Sequence, residues 1–229
     1  MYRRDVNQMG KITKKLKADD IGDMGIGAMI VFIAMVLVAG IAASVLIQTA
    51  NRLEIQAMKT GQETIGEVST GVGVTAITGH RTTTNLDRMT IAIQPRSGSF
   101  SIDLEQTYIE ISDSSKKVVL MYVAGGFNDT STINGSIFGH CFPDALDATH
   151  FGVVVLEDAD NSITATHPVI NRGDLVLLTV DLDAVFTTGP GLETRTSVWG
   201  LIQPEEGAPG VFAFTTPASF AADLVFDLY

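Results

Sequence analysis

The sequence predicts an α+β protein, in which one long apolar α-helix near the N-terminus precedes an antiparallel β-sandwich. Two observations predict this order. Residues 26–47 form an uncharged apolar run, and from Gly66 onward the helical periodicity gives way to short strand-like segments that turn residues separate. We therefore divide the chain of 229 residues into a leader, 1–22, a helix, 23–62, and an outer domain, 63–229.

The apolar run from Ile26 to Ile47 is 22 residues long and has no charged side chain. At about 1.5 Å per residue its helix measures about 33 Å, which matches a bilayer hydrocarbon core of about 30 Å. The apolar region of a conventional secretory signal is shorter, at about 7–15 residues. The helical pattern continues over residues 48–62, with Gly61 as its predicted stop, so we expect the helix to extend beyond the bilayer as a stalk.

The charges divide at the same place. Residues 1–22 carry six basic and three acidic side chains (+3), and the rest carries 9 basic and 23 acidic side chains (9 − 23 = −14). The basic leader is expected to stay in the cytoplasm, which places the outer domain outside the cell. The acidic body repels phosphate, so a nucleic-acid partner is excluded. An intramolecular disulfide is also excluded, because Cys141 is the only cysteine.

The junction between leader and run reads Asp19-Asp20-Ile21-Gly22-Asp23-Met24-Gly25. A cut after Gly22 would remove the positive charge and keep the whole apolar helix, whereas ordinary signal peptidase discards the apolar segment. The candidate processing residues are therefore Gly22, Asp23 and Gly25, and cleavage after Gly25 is the alternative.

Residues 25–47, GIGAMIVFIAMVLVAGIAASVLI, are similar almost residue for residue to the N-terminal helix of archaellins, the archaeal flagellins. The likeness extends more loosely over residues 86–123 and 173–229. The junction resembles the class III signal peptide of the type IV pilin-like superfamily, and more closely that of archaellins, in which the peptidase cuts after a Gly three residues before the Gly of the GIG motif. That position is Gly22, although acidic residues precede it where the family usually has basic ones.

Bacterial-type pilins resemble one another in having Phe at mature position 1 and Glu at position 5. Counted from Asp23, position 5 of this chain is Gly27, so the pilin charge is missing. The archaellin resemblance therefore fits the residues better.

The archaellin resemblance implies a structural subunit of the archaellum filament, which serves swimming motility, and a non-enzymatic β-sandwich outer domain. It implies a precursor in the cytoplasmic membrane and a mature subunit in the extracellular filament, with no required cofactor. The implied partners are further copies of itself or related archaellins, the prearchaellin peptidase and the export and motor platform. The alternatives are an adhesive type IV-like pilus subunit and a membrane-anchored surface enzyme or binding domain. No catalytic motif favours an enzyme.

We expect the filament core to be formed by apolar and small residues of the run, which allow neighbouring helices to approach closely. These residues are Ile26, Ile30, Phe32, Ile33, Leu37, Gly40, Ile41, Ser44 and Leu46.

The outer domain is predicted to be immunoglobulin-like, because eight or nine short strands occur without a convincing helix. Glycine- and serine-rich turns such as Arg96-Ser97-Gly98-Ser99 separate them. The candidate strands are 89–94, 100–104, 107–111, 117–123, 152–156, 175–180, 197–202, 211–214 and 224–228.

Two kinds of surface site are suggested. The sequons at Asn128 and Asn134 lie in a Gly- and Thr-rich segment of the outer domain, and the archaellin resemblance implies an N-linked glycan on at least one of them. The acidic residues Asp158 and Asp160 could supply oxygen ligands to a divalent cation such as Ca²⁺. The segment lacks the glycine and distal Glu of an EF-hand loop, so a solvated acidic turn is the favoured interpretation.

Overall fold

The computed structural model describes residues 5–82, 84–129, 131, 136–143, 146–186, 191–220 and 224–229, with the backbone alone for residues 5–23 and His140. The chain separates into two compact units, Met1–Gly61 and Gln62–Tyr229. The first unit is helical, and the second contains the β-strands.

Helix α1 spans Asp5–Ser69, which is 65 residues. It begins before Asp23, and the predicted stop at Gly61 is wrong, because an isolated glycine costs a helix only about 1 kcal/mol relative to alanine. The helix ends where the sheet begins. The backbone N–H of Thr70 donates to the carbonyl of Gly66 at 2.8 Å, and the N–H of Gly71 donates to the Ser99 hydroxyl at 2.9 Å.

The second unit contains eleven strands and two short helices among its described residues. They are β1 (Val72–Arg81), β2 (Leu86–Pro95), β3 (Ile102–Asp103), β4 (Tyr108–Ser112), β5 (Lys117–Asn128), α2 (Ile137–His140), β6 (His150–Glu157), β7 (Val169–Ile170), β8 (Leu175–Asp181), α3 (Leu182–Val185), β9 (Ser197–Gln203), β10 (Gly210–Thr215) and β11 (Val225–Asp227).

Nine of these strands form one sheet in the order β10-β9-β4-β5-β6-β8-β2-β1-β11, and β3 pairs with β7 separately. All neighbours are antiparallel except β5 and β6, which are parallel. The predicted architecture, a long apolar helix followed by a mostly antiparallel β domain, is confirmed.

The sheet curls until strands from its two ends meet. Gly71, just before β1, bridges to Ala208, just before β10. The N–H of Val72 donates to the carbonyl of Ala208 at 3.2 Å, and the N–H of Ala208 donates to the carbonyl of Thr70 at 2.8 Å. The curled sheet therefore surrounds one principal apolar core, which includes Phe151, Phe186 and Phe212.

Strict alternation places one side of strands β9 and β10 in this core. In β9 and β10, Val198, Ile202 and Phe212 are buried, whereas Trp199 and Val211 between them point outward and are exposed. This alternation is what a sheet with one buried face requires. The outward side chains of β9 and β10 therefore do not contribute to this core.

Candidate functional site

The largest exposed apolar surface of the described chain lies on α1. From Met24 onward every large apolar side chain of this helix is more than half exposed, from Ile33 at 51% to Val68 at 80%. A helix of a soluble globular domain buries its apolar stripe, and one that is apolar all round requires apolar surroundings. The helix of the isolated chain therefore lacks the partner that its side chains need.

The predicted packing residues cover more than one side of α1. Successive residues of an α-helix turn by about 100°, so the members from Ile26 to Ser44 at spacings of three and four share one stripe. Phe32 and Leu46 lie on the opposite side of the same helix and are as exposed as the others. Apolar neighbours are consequently required on all sides, as in a bilayer or a bundle of like helices.

The glycines of α1 leave room for such neighbours. Around Gly25, Gly27 and Gly40 no atom apart from the adjacent residues and the local helix backbone lies within 4 Å of the place where a Cβ would stand. Gly40 and Ser44 are four residues apart, so these two small residues lie one turn apart on one side of the helix. This spacing allows the backbones of two helices to approach closely.

The segment Met24–Ser69 is long and apolar enough to cross a membrane, by length and composition. Its backbone hydrogen bonds are made within the helix, which is the condition for entering hydrocarbon. The candidate processing residues Gly22 and Asp23 lie in the helical backbone just before this segment, and Gly25 lies at its start.

The two predicted glycosylation sites differ in what the structure describes. Asn128 ends β5 and is half-buried, and its amide Nδ2 donates to the carbonyl of Cys141 at 2.7 Å. Asn134 lies outside the described residues. The amide nitrogen that would carry a glycan on Asn128 is thus engaged in holding its strand to the segment around Cys141.

The acidic residues Asp158 and Asp160 come together with a third, Asp174, which sequence reasoning missed. Their carboxylate oxygens lie within 4.8 Å of one another. The carboxylates also accept protein hydrogen bonds: Asp158 and Asp160 both accept from the N–H of Ser162, and Asp160 accepts from the Asn171 amide at 2.8 Å. Hydrogen bonding from the Ser162 side chain and the Asn171 amide, with a smaller effect of the Ser162 N–H, lowers the pKa of Asp160. The cluster is explained by the loop it organises, and we assign no ion to it.

Sequence comparison identifies the protein family to which the chain belongs. The family model described as archaeal-type flagellin matches residues 22–214. Flagellin B2 of Methanocaldococcus jannaschii is 44% identical over 200 residues, which cover 87% of this chain and 90% of that protein. Flagellin B1 of Methanococcus voltae is 39% identical over 214 residues, covering 93% and 97%. The chain belongs to the archaeal-type flagellin family.

Solved structures agree with the assignment of this chain to the archaeal-type flagellin, or archaellin, family. The crystal structure of archaeal flagellin FlaB1 from Methanocaldococcus jannaschii superposes with a TM-score of 0.62 at 33% identity, covering 69% of this chain and 96% of that one. The archaeal flagellum of Methanospirillum hungatei strain JF1 gives a TM-score of 0.56 at 15% identity, covering 86% and 95%, and shares the fold. As a member of this family, the protein is a structural subunit of the archaellum filament at the cell surface.

Proposed function

We propose that this archaellin is inserted in the cytoplasmic membrane as a precursor, is cut after Gly22, and then polymerises through α1 into the filament used for swimming. The observation that carries the proposal is the uncharged run of α1, residues 24–51, whose apolar side chains are exposed on all sides.

The exposed helix explains why the subunit passes from lipid to polymer without a soluble stage. Leaving a large apolar side chain in water costs about 1.5–3 kcal/mol when it is fully exposed. The side chains from Ile26 to Ile47 are half to two-thirds exposed in the isolated chain, so each retains roughly half of that cost or more. A bundle of like helices is about as apolar as lipid, so transfer between them avoids the cost of water.

The leader explains why cleavage precedes assembly. Its six basic side chains would lie at the end of a dry helical core, where burying unpaired charges is prohibitive. Removing residues 1–22 takes away that charge and changes the net charge from −11 to −14 (−11 − 3). The first partner that we propose is therefore the prearchaellin peptidase, and the next is the export and motor platform. Further copies of this chain, or related archaellins, complete the polymer.

We propose a structural role without catalysis or a required cofactor, together with an N-linked glycan on the outer domain. Of the two sequons, Asn134 is favoured as the acceptor, because the Asn128 amide already donates to the Cys141 carbonyl. A glycan adds a bulky hydrated group to a surface that faces the medium.

The processing step is tested by N-terminal sequencing of filaments and by two valine variants. We expect the wild-type subunit to begin at Asp23 and Gly22→Val to remain a full-length, membrane-retained chain that forms no filaments. The matched variant Gly27→Val introduces the same side chain outside the candidate processing residues and should still be cut after Gly22. Normal filaments from Gly22→Val would contradict the proposal, and a mature start at Ile26 would move the cut to Gly25.

A further inference from the structure

The β domain carries an exposed apolar surface of its own, separate from α1. It lies on the outward side of β10, β9, β4 and the first half of β5, where cross-strand pairing aligns the side chains in rows. Val211 of β10 is 65% exposed, and Trp199 of β9 is 47% exposed. We call this surface the four-strand face, and it comprises Tyr108, Val119, Met121, Trp199, Leu201 and Val211.

The four-strand face is neutral on a strongly acidic domain. The charged side chains beside it on β4 and β5 pair with each other: the Lys117 ammonium lies 2.6 Å from the Glu110 carboxylate and 5.7 Å from the centroid of the Trp199 ring. Residues 62–229 as a whole carry 7 basic and 21 acidic side chains, a net charge of −14 (7 − 21). Two copies of this domain repel each other over most of their surfaces, so contact costs least where each presents a neutral, aromatic face.

The size of the four-strand face decides what can cover it. Four strands about 4.8 Å apart, each presenting two or three outward residues, give an area on the order of 300 Å². A stable complex of free proteins buries about 800 Å² on each partner. The face is therefore too small to hold a dimer alone. It is large enough to add a contact between copies that another segment already holds at high effective concentration.

We propose that the four-strand face packs against the β domain of a neighbouring copy in the filament and buries Trp199. This inference rests on the proposed polymerisation through α1. The helices bring the domains together, and the face then fixes how adjacent domains meet. Tryptophan and tyrosine at the centre of such a contact supply most of its binding energy.

The chain contains a single tryptophan, so its fluorescence reports on this face alone. The measurement compares acrylamide quenching of the full chain in detergent micelles with that of assembled filaments. Acrylamide is uncharged, so the acidic domain does not repel it. Because Trp199 is 47% exposed in the isolated chain, we expect the quenching constant to fall roughly twofold or more in filaments.

Each other result of the quenching experiment would contradict the inference. Equal quenching in micelles and in filaments confirmed by negative-stain microscopy would overturn the inference and leave the proposed function intact. Protection already present in micelles would also overturn it, since an amphiphile rather than a second copy would then cover the face. Failure to form any filament would overturn the proposed function and the inference with it.

A pair of charge variants gives an independent readout. Val211→Glu places an acid on the exposed part of the four-strand face, where the monomer fold does not depend on it. Gln94→Glu adds the same charge at an exposed position of β2 as a matched control. We expect Val211→Glu filaments to dissociate at a temperature several degrees lower than wild-type filaments, and Gln94→Glu filaments to match wild type. Equal dissociation temperatures for both variants would overturn the inference.

Discussion

Replacing Gly200 with alanine should destabilise the β domain, because a buried phenylalanine occupies the space of the missing side chain. Gly200 pairs with Phe212 across β9 and β10. A Cβ at Gly200 would lie 2.3 Å from Cζ of Phe212 and 2.7 Å from the carbonyl oxygen of Glu110. Both distances are shorter than real Cβ contacts. Phe212 is only 1% exposed, so its ring has no free space to move into.

The size of the effect follows from two opposing contributions. Overpacking a core costs about 1–3 kcal/mol, and this contact belongs at the upper end because one of the atoms is backbone. Replacing glycine also restricts the unfolded chain, which returns about 0.4–1 kcal/mol. The net loss is about 2 kcal/mol, which lowers the melting temperature of a domain of this size by about 4–8 °C.

Calorimetry of the full chain in detergent micelles measures this loss. Gly73→Ala is the matched control, since its Cβ would meet its nearest atom, the Gln94 carbonyl oxygen, at an ordinary 3.4 Å. Phe212→Leu should relieve the clash, so the double variant should lose about 1 kcal/mol less than the sum of the single variants. Equal melting temperatures for Gly200→Ala and Gly73→Ala, or strict additivity in the double variant, would refute the packing argument.

Two further predictions concern single side chains of the same domain. Burial, followed by the charge of Glu105, raises the pKa of Tyr122 to about 12, and its hydroxyl donates to the Ala165 carbonyl at 2.8 Å. The stability contributed by Tyr122 is present below pH 10 and is lost as the pH rises from 10 to 12. Phenolate absorbance should show a component near pH 12 that Tyr122→Phe removes, and the absence of that component would contradict this prediction. Glycopeptide mass spectrometry should find the glycan on Asn134, with occupancy unchanged in Asn128→Gln; a glycan on Asn128 alone would contradict the preference.

The helix could be predicted from the sequence because its defining property is visible in the order of residues. A run of 22 uncharged apolar residues predicts a helix in apolar surroundings. The motif at residues 25–47 then indicates the family. The helix end could not be predicted, because Gly61 is a stop signal only when no better arrangement exists. The helix ends at Ser69 because Gly71 and Val72 pair with the Ala208 segment, and that partner is 137 residues away (208 − 71).

The nine predicted strands all overlap observed strands, since alternation and turn residues are local signals. Two observed strands, β1 and β7, were not predicted. Gly73 and Gly79 interrupt the pattern of β1, and its stability comes from pairing with β2 and β11, whereas β7 is only two residues long and pairs with β3. The parallel pairing of β5 with β6 was also not predictable. It depends on how the segment between them crosses the domain, and strand sequences alone do not encode direction.

The apolar surfaces on α1 and on the four-strand face differ in whether the sequence predicts them. The physical reason is the spacing at which buried and exposed residues follow one another. Over residues 26–47 of α1 every side of the helix is apolar, so an uninterrupted run signals exposure without knowledge of the fold. On β9 and β10, Trp199 and Val211 alternate with the core residues Val198 and Phe212, so the strands read as wholly buried. Only the register shows that half of these apolar residues face outward. The apolar helix can therefore be recognised from the sequence alone, whereas the four-strand face can be recognised only in the folded domain.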